Sequence, residues 1–183
     1  MNVVLTPGEH ETLSNYVADS RLLGAEDFRQ RHGEAFLVHE AGMQTLKPVP
    51  RTRATVAIDT MAEGGSPGTP AIRLNFAVFP VRRTGRSPFP NFISIGRAKS
   101  NDVIIEDESV SKFHAFFRRS DKGEFVLQDG GSKNGTSVDG EEVPDKNKGG
   151  PVIVESGMRL RFGNVEMTFL LATEFVDLVK RSM

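Results

Sequence analysis

The sequence has no cysteine, which excludes disulfides, thiol nucleophiles, zinc–thiolate centres and cysteine redox switching. It has no charge surplus either: 23 lysines and arginines stand against 24 aspartates and glutamates, a formal net charge of −1. A broad nucleic-acid or anionic-membrane surface wants a strong basic excess, so neither partner is expected. No apolar run approaches the ~18 residues of a membrane span, and Met1 to Glu9 carries no charged segment leading into an apolar one. The expectation is a soluble, cytoplasmic chain without membrane insertion. Its four histidines, His10, His32, His39 and His114, are far apart and show no ligand spacing, and no serine elbow or kinase signature occurs. No catalytic residue, metal site or cofactor is assigned, and an enzyme is not expected.

What is present is turn chemistry and short apolar runs. The 183 residues include 18 glycines and 10 prolines, a mild surplus that favours a turn-rich β architecture. Thr6-Pro7-Gly8-Glu9 has the form of a capping box and predicts a helix carrying Leu13, Tyr16 and Val17 on one face up to Gly24. A second helix fits Ala25 to His32, with acids first, bases last and Gly33 closing it. Phe36-Leu37-Val38 reads as a short strand, and residues 1–46 as a helical, irregular extension. Residues 47–70, rich in proline and glycine, read as a linker.

From Ile72 the apolar period changes to two. Ile72, Leu74, Phe76 and Val78 alternate with smaller or polar residues, as do Met158, Leu160 and Phe162, then Val165, Met167, Phe169 and Leu171. Short runs at Phe92–Ile95, Val103–Ile105, Phe113–Phe117 and Phe125–Leu127 lie between turn residues. Many short strands at this spacing predict an all-β, two-sheet antiparallel sandwich over residues 71–172. Residues 173–183 predict a short C-terminal helix with Phe175, Leu178 and Val179 on one face.

Three segments stand out at strand ends and loops: Gly96-Arg97, then Ser111-Lys112-Phe113-His114, then Asp129-Gly130-Gly131-Ser132-Lys133-Asn134-Gly135-Thr136. With Ser100-Asn101-Asp102-Val103 and Asp107-Glu108-Ser109-Val110 between them, their order and spacing resemble the forkhead-associated (FHA) family over roughly Ile72 to Leu171. The resemblance implies an FHA-type β-sandwich whose loops bind phosphothreonine in an extended peptide. Arg97 suits a phosphate anchor: its planar fork of donors matches two phosphate oxygens and stays charged at every physiological pH. Ser111 adds a hydroxyl donor and Lys112 a cation. Asn134 offers an amide donor and a carbonyl acceptor to peptide backbone, and Lys133 a further cation nearby. Gly96, His114, Gly135 and Thr136 are assigned to the structural frame of the motif.

Two look-alikes fail. Gly130 to Gly135 imitates a nucleotide-binding loop, but Thr136 stands where its lysine belongs, and Asn134-Gly135-Thr136 is a glycosylation sequon of no consequence in a cytoplasmic protein. Ser156-Gly157-Met158 departs from the Gly-Asp often found there in similar domains. The expected partner is a phosphothreonine-containing protein or a Ser/Thr kinase, with the chain acting as a signalling adaptor. The alternative is a phosphorylation-independent scaffold or oligomerisation protein that docks a fixed partner through its N-terminal region. A third arrangement is self-regulation, in which a phosphorylated Thr45, Thr52, Thr55, Thr60 or Thr69 occupies the chain's own pocket.

Overall fold

The computed structural model describes residues 11–41 and 75–182. The chain begins with β1 (Glu11–Thr12), a 3-10 turn (Leu13–Tyr16), α1 (Val17–Leu22), α2 (Ala25–His32) and β2 (Ala35–Ala41). It resumes with β3 (Asn75–Pro80), β4 (Ile93–Gly96), β5 (Val103–Ile104), β6 (Ala115–Arg119) and β7 (Phe125–Asp129). β8 (Thr136–Val138), β9 (Glu141–Glu142), β10 (Val152–Ile153), β11 (Arg159–Phe162), β12 (Val165–Leu171) and α3 (Ala172–Arg181) complete it. Among the described residues no helix is long and apolar enough to cross a membrane.

The strands form two sheets, one of seven strands in the order β1-β3-β2-β12-β11-β8-β9 and one of five in the order β10-β7-β6-β4-β5. All pairs are antiparallel except β4 with β5, which run parallel. Period-two alternation sends Leu37, Phe79, Met167 and Phe169 of the first sheet, and Ile95, Phe117 and Leu127 of the second, into one core between the layers. This is the predicted two-sheet sandwich, with its short C-terminal helix.

The N-terminal region departs from expectation in two ways. Helix does not run through residues 11–12, and residues 13–16 are 3-10 and not α: Glu11 and Thr12 pair with Val78 and Ala77 at the sheet edge. Asn15 Oδ1 accepts from the Thr12 backbone N–H at 2.9 Å and from its hydroxyl at 2.8 Å, so the chain turns there and α1 begins only at Val17. The Thr6 cap lies outside the described residues, as do the 47–70 linker, Ile72, Leu74 and the five threonines of the self-regulation reading. More consequentially, the short strand at Phe36–Val38 is not part of an outlying extension. It lies inside β2, between β12 and β3 in the middle of the larger sheet.

The reason is visible in β2 itself, where Ala35 to His39 are all buried. Ala35 and Leu37 face the inter-sheet core, while Phe36 and Val38 face a second core with Val78, Leu13, Tyr16, Phe28, Phe175 and Val179. The ring of Phe36 stacks on that of Phe175 at 4.0 Å, and Tyr16 meets Phe175 edge-on at 4.9 Å. The helices therefore cover the outer face of the seven-stranded sheet. α2 spans Ala25–His32 and Gly33 closes it with φ 114°, as the charge pattern predicted.

Candidate functional site

At the end of the sandwich marked by Gly96 and the β11–β12 turn, three loops are joined by hydrogen bonds. Ser111 is the hub. Its carbonyl accepts from Arg97 N at 2.9 Å, its N–H donates to His114 Nδ1 at 3.0 Å, and its Oγ accepts from Lys133 N at 3.0 Å. The loops that carry Arg97, Ser111-Lys112 and Lys133-Asn134 are thus fixed together by backbone and buried groups, leaving the charged side chains outward. Arg97, Lys112, Lys133 and Asn134 are exposed and Ser111 half-buried.

The approach of the first two loops depends on Gly96. A Cβ there would lie 2.4 Å from the Lys112 carbonyl oxygen, closer than any side chain tolerates. That carbonyl accepts from Ala98 N at 3.1 Å and from Asn101 Nδ2 at 2.6 Å, while the same Asn101 amide also donates to Ala98 O at 2.8 Å. Asn101, nearly fully buried, closes the return from β4 to β5. Arg97 Nε donates to Val110 O at 3.2 Å, which sets the plane of the guanidinium at the loop surface.

His114 is fully buried and its tautomer follows from its partners. Because Nδ1 accepts the Ser111 N–H, the proton resides on Nε2, which donates to Gly135 O at 3.1 Å. Burial holds the imidazole below its ordinary pKa, against the opposing influence of the Gly135 carbonyl and the Asp129 charge. Gly135 itself has φ 76°, a conformation that suits glycine. Its carbonyl also accepts from Gly163 N at 3.0 Å, drawing the β11–β12 turn into the same cluster.

Two carboxylates beneath the loops were contained in the motif segments but given no role by sequence reasoning. Asp129, buried, accepts from Gly131 N at 2.8 Å, Ser132 N at 2.8 Å, Ser132 Oγ at 2.7 Å and Thr136 Oγ1 at 2.6 Å. Burial alone would raise its pKa, but these four donors outweigh it and hold the carboxyl below the ordinary range. Asp102 likewise takes the N–H and hydroxyl of both Thr84 and Ser94, at 2.8 to 3.1 Å. It anchors the long basic connection between β3 and β4. The legible signal was the Asx turn: an aspartate two and three residues before Gly131 and Ser132. Asn134 Nδ2 donates to Ser109 O at 2.7 Å, so one of its amide protons is already engaged while the side chain stays exposed. Ser156 lies elsewhere: its Oγ accepts from Leu171 N at 2.9 Å, where β12 passes into α3.

Chemically, the cluster offers three cationic side chains and a serine hydroxyl on loops held by buried polar bonds. Among the described residues no group of three or more histidine, aspartate or glutamate side chains is placed to hold a metal.

Comparison with known proteins adds to this. The family model described as "FHA domain" matches residues 93–163. The chain is 33% identical over 84 residues to the glycogen accumulation regulator GarA of Mycolicibacterium smegmatis, covering 46% of this chain and 49% of that one. It is 36% identical over 75 residues to an oxoglutarate dehydrogenase inhibitor of Corynebacterium diphtheriae, covering 41% and 48%. Over 107 residues it is 35% identical to the mouse angiogenic factor with G patch and FHA domains 1, covering 55% of this chain and 15% of that protein. The match thus spans about half, or far less, of these relatives' lengths. Among solved structures, Mycobacterium tuberculosis EmbR in complex with a low affinity phosphopeptide matches at 27% identity and a TM-score of 0.39, over 44% of this chain and 20% of that one. The motif order, the two-sheet sandwich and the family match over residues 93–163 lead to one conclusion: the chain carries an FHA domain.

Proposed function

We propose that the three loops bind phosphothreonine in an extended peptide and that the protein serves as an adaptor for a Ser/Thr kinase pathway. The observation that carries this reading is the Ser111 hub, which holds the Arg97, Lys112 and Lys133 loops together before any ligand arrives. A site ordered in advance loses less entropy on binding. A phosphate of charge about −1.5 to −2 needs a few converging donors, not a broad basic face, and a net charge of −1 is compatible with that. Arg97 supplies the forked anchor and Lys112 and Lys133 supply charge. Ser111 Oγ, while accepting from Lys133 N, retains its own proton to donate. Asn134 keeps its carbonyl oxygen and second amide proton for peptide backbone. The names of two relatives, a regulator and an inhibitor, accord with a binding role.

The test is titration of phosphothreonine peptides, selected from a degenerate library, against the wild type and Arg97→Ala. Charge-assisted hydrogen bonds contribute ~1.5–3 kcal/mol each, so loss of two weakens binding by about 100-fold or more. Equal affinity of both proteins, or of phosphorylated and unphosphorylated peptides, defeats the reading.

A further inference from the structure

Four phenylalanines form a continuous strip on the outer face of the five-stranded sheet, away from both cores. Phe89 and Phe92 stack at 4.7 Å, Phe92 and Phe116 lie 4.4 Å apart, and Phe113 sits 5.6 Å from Phe89 and 6.2 Å from Phe116. None is buried: Phe89 is 41% exposed and the other three are half-buried. None belongs to either hydrophobic core. Phenylalanines gathered on a surface expose apolar area at a cost in free energy, and such patches mark contact surfaces.

The strip is built in place. Gly130 admits it, since a Cβ there would lie 2.5 Å from Phe113 Cε1. The connection that delivers Phe89 is pinned through Thr84 to Asp102 and through Arg83 to the Pro90 carbonyl. It is also continuous with the loops already described, because Phe113 directly follows Lys112. Its other end, Phe92, precedes Gly96 by four residues of extended chain, about 13 Å. The exposed cations Arg86 and Lys112 lie in the segments that carry Phe89 and Phe113.

We propose that this strip is a second recognition surface for the phosphorylated partner itself, receiving an apolar side chain from a flank of the phosphothreonine segment. The inference rests on the phosphothreonine reading above. Continuity with Lys112 selects this occupant: a peptide held at the loops, rising ~3.3 Å per residue, reaches the strip with about four residues of flank. The flanking cations suit a flank that mixes apolar and acidic residues. Specificity then resides in a sheet face as well as in loops, and a phosphate alone does not define the target.

The test compares two phosphothreonine peptides, identical except that one carries leucine and phenylalanine in its flanks and the other serine, on the full chain and on a Phe89→Ser, Phe92→Ser double variant. On the wild type the apolar-flanked peptide is expected to bind about tenfold more tightly, as burial of one apolar side chain implies. The variant is expected to lose that preference while binding the serine-flanked peptide as the wild type does, which also reports that it is folded. A wild type without preference, or a preference that survives the double substitution, overturns the proposal. So does a wild-type dimer that the variant converts to monomer in sedimentation, since the strip then belongs to a second copy. So does unchanged peptide binding with faster proteolysis of residues 42–74, since the strip then docks the chain's own segment. Phosphate-independent binding of the serine-flanked peptide would instead defeat the phosphothreonine reading, and is read out separately.

Discussion

His114 joins two loops through two different nitrogens, and only the neutral ring can do both jobs. A proton on Nδ1 would face the Ser111 N–H with a second donor and break the hub of the site. In an unfolded chain the imidazole takes a proton near 6.5, whereas burial delays protonation in the fold. Between those two values the unfolded state binds more protons, so His114 removes stability as pH falls below about 6.5 and ceases to change it once the folded ring also titrates. Ring nitrogen NMR is expected to show the Nε2–H tautomer at neutral pH and a midpoint below 6.5; titration at or above that value contradicts the assigned bonds. Asp129 acts in a lower window, its lowered pKa contributing stability above the ordinary carboxylate range that is lost as pH falls through the folded value. At this scale the sequence showed which residue types gather, because motif spacing brings Arg97, Ser111 and Asn134 into loops. It did not show which atoms satisfy one another. That Asn134 already donates to Ser109 O, or that Gly130 exists for the Phe113 ring, depends on distances between segments remote in sequence.

Strands and helices were legible wherever one face was apolar and the other polar. α3 carries Ala172, Phe175 and Val179 inward, Glu174 in its first turn and Lys180-Arg181 in its last, so its amphipathic pattern and dipole complement agree. β8, β9 and β10 were not read as strands, since two or three residues show no period. β2 was read too short and placed outside the sandwich because its alternation is hidden: with both faces buried it shows a plain apolar run. The partner that hides it is α3. Phe175→Ala is expected to open a cavity among Phe36, Tyr16 and Phe28 and to lower stability by ~3–5 kcal/mol. Urea unfolding should report this loss, and phosphopeptide affinity measured well below the denaturation midpoint should change little, because the helix packs on the sheet opposite Ser111. A substitution that leaves the midpoint unmoved would mean the second core contributes nothing.

Across the whole molecule, the larger sheet is a shared wall between two cores, and its middle strands come from opposite ends of the chain. The FHA match over residues 93–163 therefore names less than the structure needs. A fragment of residues 75–182 keeps every loop of the candidate site but lacks β1 and β2, leaving β3 without a partner, β12 paired on its β11 side alone and one side of each core open. It is expected to show no dispersed NMR spectrum and no phosphothreonine-dependent binding. A folded, binding-competent fragment would show that β2 is dispensable. The same geometry bears on the scaffold alternative. Removing the N-terminal residues as a test of docking would delete a central strand, so loss of an assembly on truncation does not identify those residues as the contact.

Placing β2 beside β12 also sets the order of events in time. His39 Nδ1 donates to Glu166 O at 2.7 Å across a separation of 127 residues, and the neighbouring backbone pairs are as remote. Closing so long a loop comes before the reward of pairing; its entropic cost rises only logarithmically with length, yet such remote contacts slow folding. On a ribosome, β2 emerges early and meets β3 soon after, but its other neighbour, β12, does not exist until Val165–Leu171 has been made. During that interval Phe36, Leu37 and Val38 pair only with β3 and lack β12 and the α3 side chains that complete their burial. The nascent chain is consequently at its greatest risk of misassociation before β12 is made.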